Sequence, residues 1–328
     1  MKNKKIILGS ITAVLIAVSI IAGCKKKEDA PVPVPAPHAL TADSPAKQSQ
    51  KAGDQLNFEN ETNQAMDDCN SALQGVSTTR GTQTFSFCNV TIDSSQQALG
   101  KIKLTYTGND CYNTKLRSGV IEIQLPFANG HVTTWSTAGV TSSLTFINYK
   151  VTYIASGKSL LFNGIHKVTN INGGGLVQLY FGTPIIHKIR AAMQVAFDDS
   201  TAVTWNVARK RTFTYTNSLQ KVWGSEAGDT IMGGYNHVAI WGINRIGEHF
   251  TFDVPTDITY DIYYLSGSNS CIYRPLHGQL IDHGVSHEIT VDYGVDSSGT
   301  AQTSGCPYGY KISWTDSNGS LHFVLPYL

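Results

Sequence analysis

From about Thr82 onward this chain sets an apolar residue at every second position, and that one pattern commits it to sheets. Ile102, Leu104 and Tyr106 alternate with Lys101, Lys103 and Thr105. Ile121, Ile123, Leu125 and Phe127 repeat the pattern, as do Tyr149, Val151 and Tyr153, then Val203, Trp205 and Val207. It continues through Phe250, Phe252 and Val254, and through Ile258, Tyr260, Ile262 and Tyr264. Ile289, Val291 and Tyr293 follow, then Tyr310, Ile312 and Trp314, then Leu321, Phe323 and Leu325. Successive side chains of a strand point to opposite faces, so each run offers one face to a core and the other to water. Gly, Asn, Asp and Ser interrupt the runs at turn spacing, and Asn318-Gly319 has the composition of a type I′ hairpin turn. Connections this short cannot make parallel crossovers. The expected fold is all-β, with antiparallel β-sandwich-like or extended sheets.

One stretch departs from the pattern. Residues 53–78 read as a short polar helix, with Leu56, Met66, Cys69 and Leu73 on a weak apolar stripe and Gly75 near its end. Glu59, Glu61, Asp67 and Asp68 lie off that stripe, so the expectation is a surface helix, or a partly ordered continuation of the tether, with those carboxylates exposed. The sheet region holds a faint repeat. KIKLTYTGNDCYN (Lys101–Asn113) resembles EITVDYG (Glu288–Gly294) followed by GCPYG (Gly305–Gly309). In each, an alternating strand ends in Tyr and Gly, a Cys follows, and another strand begins. The repeat implies two duplicated lobes, 79–198 and 199–328.

The N-terminus reads as an address. Lys2, Lys4 and Lys5 precede an almost wholly apolar run from Ile6 to Ile21, and Ala22-Gly23-Cys24 closes it. A basic start, an apolar stretch and small residues before a cut are the parts of an export signal, here 1–23. A cysteine directly after Ala-Gly is a lipobox, so Cys24 is expected to carry diacylglyceryl and an amide-linked chain such as palmitate. Two or three acyl chains hold a protein firmly at a membrane. Residues 24–52 include the run PVPVPAP and read as a Pro-rich extended tether. The expected location is the cell envelope, on the periplasmic or the surface side of the outer membrane.

Of six cysteines, five remain once Cys24 is lipidated. Export leads to an oxidising compartment, where disulfides persist. The repeat pairs Cys88 with Cys111 and Cys271 with Cys306, one bridge per lobe. Cys69 is left over, or takes Cys88 or Cys111 in a different pairing. No Cys/His cluster has the spacing of a closed zinc site, and no metal or other cofactor is expected.

The remaining chemistry is sparse. A formal net charge of +1 gives no electrostatic case for nucleic acid. There is no Gly-x-Ser-x-Gly elbow and no His-Glu-x-x-His. The acids Glu248, Asp253, Asp257, Asp261, Asp282 and Asp292 are available to a glycosidase, but several fall on the polar phase of strands, where exposed acids are ordinary. No catalytic residue can be assigned. His283 and His287 are too far apart on a strand to share an ion, and the segment reads as an exposed turn. Trp205 and Trp314 fall on the apolar phase and belong to a core. Trp223 and Trp241 lie among glycines and are the pair expected to be exposed, where flat aromatic faces could stack on sugars. Arg209-Lys210-Arg211 could touch an anionic glycan or lipopolysaccharide, but reads better as the solvated end of an edge strand.

The lipobox, polar linker, short acidic helix and long β region resemble a group of uncharacterised β-rich lipoproteins of Gram-negative bacteria. The resemblance rests on an ITVDYG strand (Ile289–Gly294), a Gly-Cys pair (Gly305-Cys306) and a short hairpin to a terminal apolar strand (Leu321–Leu325). Pro307 stands where an acidic residue commonly follows the second Cys, which weighs against a calcium or polar site at this turn. The resemblance implies membership and no activity. Three roles are therefore expected in order: a structural or adhesive envelope protein, a glycan-binding lipoprotein, and a hydrolase.

Overall fold

The computed structural model describes residues 45–77, 88–216, 221–264, 274–284, 288–316 and 319–327. The signal segment, the lipobox and the Pro-rich run lie outside them. The chain opens with α1 (Pro45–Ser77), then β1 (Val90–Asp93), β2 (Lys101–Asn109), β3 (Lys115–Gln124), β4 (Phe127–Ala128), β5 (His131–Val132), β6 (Val140–Tyr153) and β7 (Ser159–Asn170). A short helix, α2 (Leu176–Tyr180), leads to β8 (Ile185–Phe197), β9 (Ala202–Thr216), β10 (Lys221–Gly228), β11 (Thr230–Met232) and β12 (Tyr235–Ile243). The last five strands are β13 (His249–Tyr264), β14 (Pro275–His283), β15 (Glu288–Val295), β16 (Gly309–Asp316) and β17 (Gly319–Pro326).

Fifteen strands form one antiparallel sheet, in the order β1-β2-β3-β6-β7-β8-β9-β10-β13-β14-β15-β16-β17, with β11 and β12 off this path. The all-β, antiparallel expectation holds. The boundary expected at 198 falls in the turn between β8 and β9, which pair from Ile185–Phe213 to Ala196–Ala202. The sheet passes through that point without a break, and 40–328 is one compact unit.

β10 and β12 share one lane. Both pair with β9 on one side and β13 on the other, β10 along Arg209–Thr216 of β9 and β12 along Thr204–Val207. The chain thus leaves the lane after Gly228, makes the β11–β12 hairpin, and re-enters it. Exit and re-entry nearly touch: a Cβ on Gly228 would lie 1.7 Å from the His237 carbonyl oxygen.

The alternation read from the sequence matches the inner face. Ile102, Leu104 and Tyr106, Val203, Trp205 and Val207, and Ile289, Val291 and Tyr293 are all buried in one continuous core. Phe127 is an exception: the strand ends at Gln124, and Phe127 is exposed on the separate β4–β5 pair. Asn318 of the expected turn lies outside the described residues, but its flanks pair as a hairpin from Asp316–Gly319 to Gly309–Pro326.

What fills the core corrects the reading of α1. It begins at Pro45, so 45–52 belong to the helix rather than to a tether, and it continues past Gly75 to Ser77. It is not a surface helix. Leu56, Phe58, Ala65, Met66, Cys69, Ala72 and Leu73 are buried in the same core as the strands. Glu59 and Glu61, expected in solvent, are 1% and 0% exposed. Phe58 stacks on Trp205 of β9, with ring centres 4.3 Å apart. Among the described residues no helix is long and apolar enough to cross a membrane.

A sheet that curls around a helix needs places to bend. One row supplies them across three strands. Asn148, in the left-handed region at φ 48°, is the extra residue of a bulge in β6, so that Phe146 and Tyr149 both reach the core. Gly119 on β3 and Gly164 on β7 flank it, at φ 99° and 138°. A Cβ on Gly119 would meet the Asn148 carbonyl oxygen at 2.1 Å, and one on Gly164 would meet that of Ala192 at 2.3 Å. Bulges and glycine kinks of this kind are how a sheet acquires local curvature.

Cys88 and Cys111 form a disulfide, their Cα atoms 5.1 Å apart, as the repeat led one to expect. It closes the loop from the start of β1 to the β2–β3 turn. Cys306 is disulfide-bonded as well; its expected partner Cys271 lies outside the described residues. Cys69 is free and buried in the helix interface.

Gly119→Ala combines a strained φ with a backbone clash. It should lower the unfolding free energy by about 1–3 kcal/mol in urea titrations. A midpoint equal to the wild type would show that the bend does not depend on this glycine.

Candidate functional site

Two sets of charged groups stand out among the described residues, one inside the sheet and one on its outer face. The inner set starts from the phase of β9. Val203, Trp205, Val207 and Phe213 point inward, and Arg209 and Arg211 fall on the same phase, so their guanidinium groups also enter the core. The edge-strand reading of Arg209-Lys210-Arg211 is therefore corrected. β9 lies between β8 on one side and β10 and β12 on the other, both arginines are buried, and only Lys210 faces water.

Each buried arginine is matched. Arg209 pairs with Glu59 of α1 and, at 2.6 Å, with Glu226 of β10. Arg211 donates from Nε to Glu226 at 2.6 Å and reaches Asp67 of α1 at 3.5 Å. Tyr260 stands 3.5 Å from Glu59 Oε2, and Gln55 accepts the Trp205 indole hydrogen at 2.9 Å. Burial opposes the charge on Glu226, but the guanidinium groups of Arg211 and Arg209 outweigh it and hold its pKa below the ordinary value.

Further pairs follow the helix in both directions. Towards the N-terminal strands, Arg117 binds Asp68 at 2.9 Å beneath Tyr106, and Lys115 binds Glu61 at 2.6 Å beside Tyr153. Towards the C-terminal strands, Arg245 binds Asp54 at 2.6 Å, and Lys51 pairs with Asp282 of β14. Burial raises the Asp54 pKa to about 6 despite Arg245. These contacts bind helix to sheet. They leave few charged groups inside for chemistry on a substrate.

Two histidines share this interior. His166 and His187 are buried, and their pKa values are pushed down to about 3, first by burial and then by the nearby arginines. Neither ring nitrogen of His166 has a hydrogen-bond partner.

The sequence-derived candidates are dispersed. Trp205 and Trp314 are core residues, as expected, and Trp135 is buried as well. Trp223 and Trp241 are half-buried rather than exposed. Both point to the outer face, Trp223 level with Thr214 of β9 and Trp241 level with Asn206. Eight residues of extended strand place them about 26 Å apart, so they do not form one stacking platform. His283 sits in β14 rather than in an exposed turn. Its ring stacks on Tyr235 with centres 3.6 Å apart and lies 3.1 Å from Asp253 and 3.4 Å from Glu288. That cluster fastens the β11–β12 hairpin to β13 and β14. His287 lies outside the described residues, and among those described no three His, Cys, Asp or Glu side chains gather to hold a metal ion.

The outer face carries the second set of charges. Lys167 of β7 lies directly opposite Arg190 of β8, and Lys188 of β8 directly opposite Lys210 of β9. Asp229, where the chain leaves the shared lane, contacts Arg190 at 2.5 Å and Lys188 at 3.0 Å. Ser143 stands beside Lys167, and Thr169, hydrogen-bonded to Thr141 at 2.7 Å, stands beside Lys188. The single sequence signal for this patch was Lys210; the rest needed the register.

Two outcomes are expected from the interior. Glu226→Gln removes the carboxylate shared by two buried arginines and should cost about 3–5 kcal/mol in chemical denaturation; a loss below about 1 kcal/mol would mean that the arginines find other partners. The histidines make the fold acid-sensitive. Their folded pKa values lie below the unfolded value of 6.5, so their contribution is complete above that pH and is lost as pH falls towards about 3. Asp54 acts in the opposite sense, because its stabilising effect is present below 3.8 and lost as pH rises through about 6, and Asp68, Asp253 and Asp282, whose pKa values burial also raises, act in the same sense as Asp54. Relative to the wild type, His166→Phe should lose less stability as pH falls from about 7 to about 4.5; an unchanged slope would remove His166 as a cause.

Compared with protein-family models, with curated proteins and with solved structures, the chain matches none.

Proposed function

We propose that this is a lipid-anchored protein of the cell envelope, held through Cys24, whose folded unit presents the outer face of its sheet to a partner in a structural or adhesive role. The single observation that carries the reading is the occupancy of the concave side: α1 runs inside the sheet and its charged groups are paired there. A partner is thereby directed to the convex side, a surface of Lys, Thr and Ser such as Lys103, Thr105, Thr145 and Thr204. The anchoring part rests on the basic start, the apolar run and the Ala-Gly-Cys sequence, and agrees with the resemblance to uncharacterised envelope lipoproteins. The Cys88–Cys111 disulfide fits an oxidising compartment outside the cytoplasm. Sugar stacking on Trp223 and Trp241 is the weaker reading, given their separation, and among the described residues a hydrolase has no assembled set in its favour.

Labelling with radioactive palmitate tests the anchor. The wild-type chain should take up label, and Cys24→Ser should take up none and should accumulate as unprocessed precursor. Label retained on Cys24→Ser would overturn the anchoring.

A further inference from the structure

The four outward cations on β7, β8 and β9 are arranged against the ordinary rule for sheets. Opposite charges across strands stabilise a pair, and like charges directly opposite destabilise it. Here two like-charged pairs, Lys167–Arg190 and Lys188–Lys210, lie side by side, two residues apart along β8. Asp229 offsets only Lys188 and Arg190. Lys167 and Lys210 are exposed and have no carboxylate partner among the described residues. Strand spacing sets the paired side chains about 5 Å apart and the two rows about 7 Å apart. The hydroxyls of Ser143, Thr141 and Thr169 border the cations on one side, and the base of the β11–β12 hairpin borders them on the other, covering Ala208.

The geometry points to a binding strip for an acidic polysaccharide. Carboxylates spaced along a sugar chain relieve the repulsion between the paired cations, and the neighbouring hydroxyls and the backbone-rimmed hairpin base suit sugar hydroxyls. The shape favours a polymer over a lipid surface. The sheet curls around α1, so its outer face is convex and meets a planar bilayer along a line, whereas a flexible chain can follow all four cations. This inference deepens the adhesive reading and rests on it only in taking the outer face as the partner's side; it does not require the lipid.

The test uses the full chain in non-ionic detergent on immobilised polygalacturonate, with neutral dextran as the blank. Wild-type protein should bind polygalacturonate and not dextran, and release as salt rises. Lys167→Ser with Lys210→Ser should weaken binding by about fivefold or more without lowering the melting midpoint. Lys101→Ser with Lys103→Ser removes the same charge from the outer face of β2 and should leave binding within about twofold. Absence of binding to polygalacturonate, equal losses in the two double variants, or retention only by micelles doped with phosphatidylglycerol would each overturn the proposal. Failure here leaves the palmitate result untouched, and failure of the palmitate experiment leaves this strip intact, so the two readings fall separately.

Discussion

The fold depends on charge pairs between a buried helix and the sheet around it. The apolar residues of α1 pack in the core, but they share it with buried carboxylates that need partners there. α1 enters because its carboxylates meet fixed cations there: Glu59 and Asp67 on Arg209 and Arg211, Asp68 on Arg117, Asp54 on Arg245. Removing charges from water is costly, and the attraction returns that cost only when geometry and additional hydrogen bonds are good. The network meets the condition at its centre, where Glu226 accepts from two arginines and Glu59 is contacted by Arg209, Gln55 and Tyr260. Such pairs contribute less net stability than apolar packing would, but they fix position. A helix moved by one residue would turn each carboxylate about 100° away from its cation.

The same pairs hold the two ends of the sheet in one body. β2 and β3 stand near one end of the strand order and β14 near the other. They are joined through the helix, since Asp68 meets Tyr106 and Arg117 while Lys51 meets Asp282. The apolar contacts fill what the charges leave: Phe58 lies between Trp205 and Phe162, and Met66 and Leu73 complete the core. The bulge at Asn148 and the glycines beside it give the sheet the curvature this arrangement requires.

The strands were legible in the sequence because alternation is a local signal, and it identified Trp205, Trp314 and most inner-face residues. The helix was legible as a helix, though not as a core element. Its polar composition reads as solvent exposure unless the partners are known, and those partners lie far along the chain: Glu59 bonds a residue 150 positions away and Asp54 one 191 positions away. A signal for the interior was nevertheless present. In the run from Val203 to Phe213, Arg209 and Arg211 occupy the same phase as Val203, Trp205 and Val207, so cations stood at apolar positions. Two such residues on one strand imply buried acids elsewhere, and the helix carries an excess of them. The outer strip was illegible for a different reason, since which lysines face each other is decided by strand register, which alternation alone leaves open.

The placement of α1 ahead of every strand has a consequence for how the molecule is made. Among the described residues the helix is the first segment to emerge during synthesis, yet Arg209, Glu226, Arg245 and Asp282 arrive only after most of the chain has followed. Until then Asp54, Glu59 and Asp67 lack their cations, whereas Glu61 and Asp68 meet theirs, Lys115 and Arg117, on the early strand β3. Contacts this distant in sequence place the chain among slow folders, on the order of milliseconds to seconds. An incomplete chain lacks charged partners that hold the helix in its core, so the sheet and the helix reach their final arrangement only when the last strands are present.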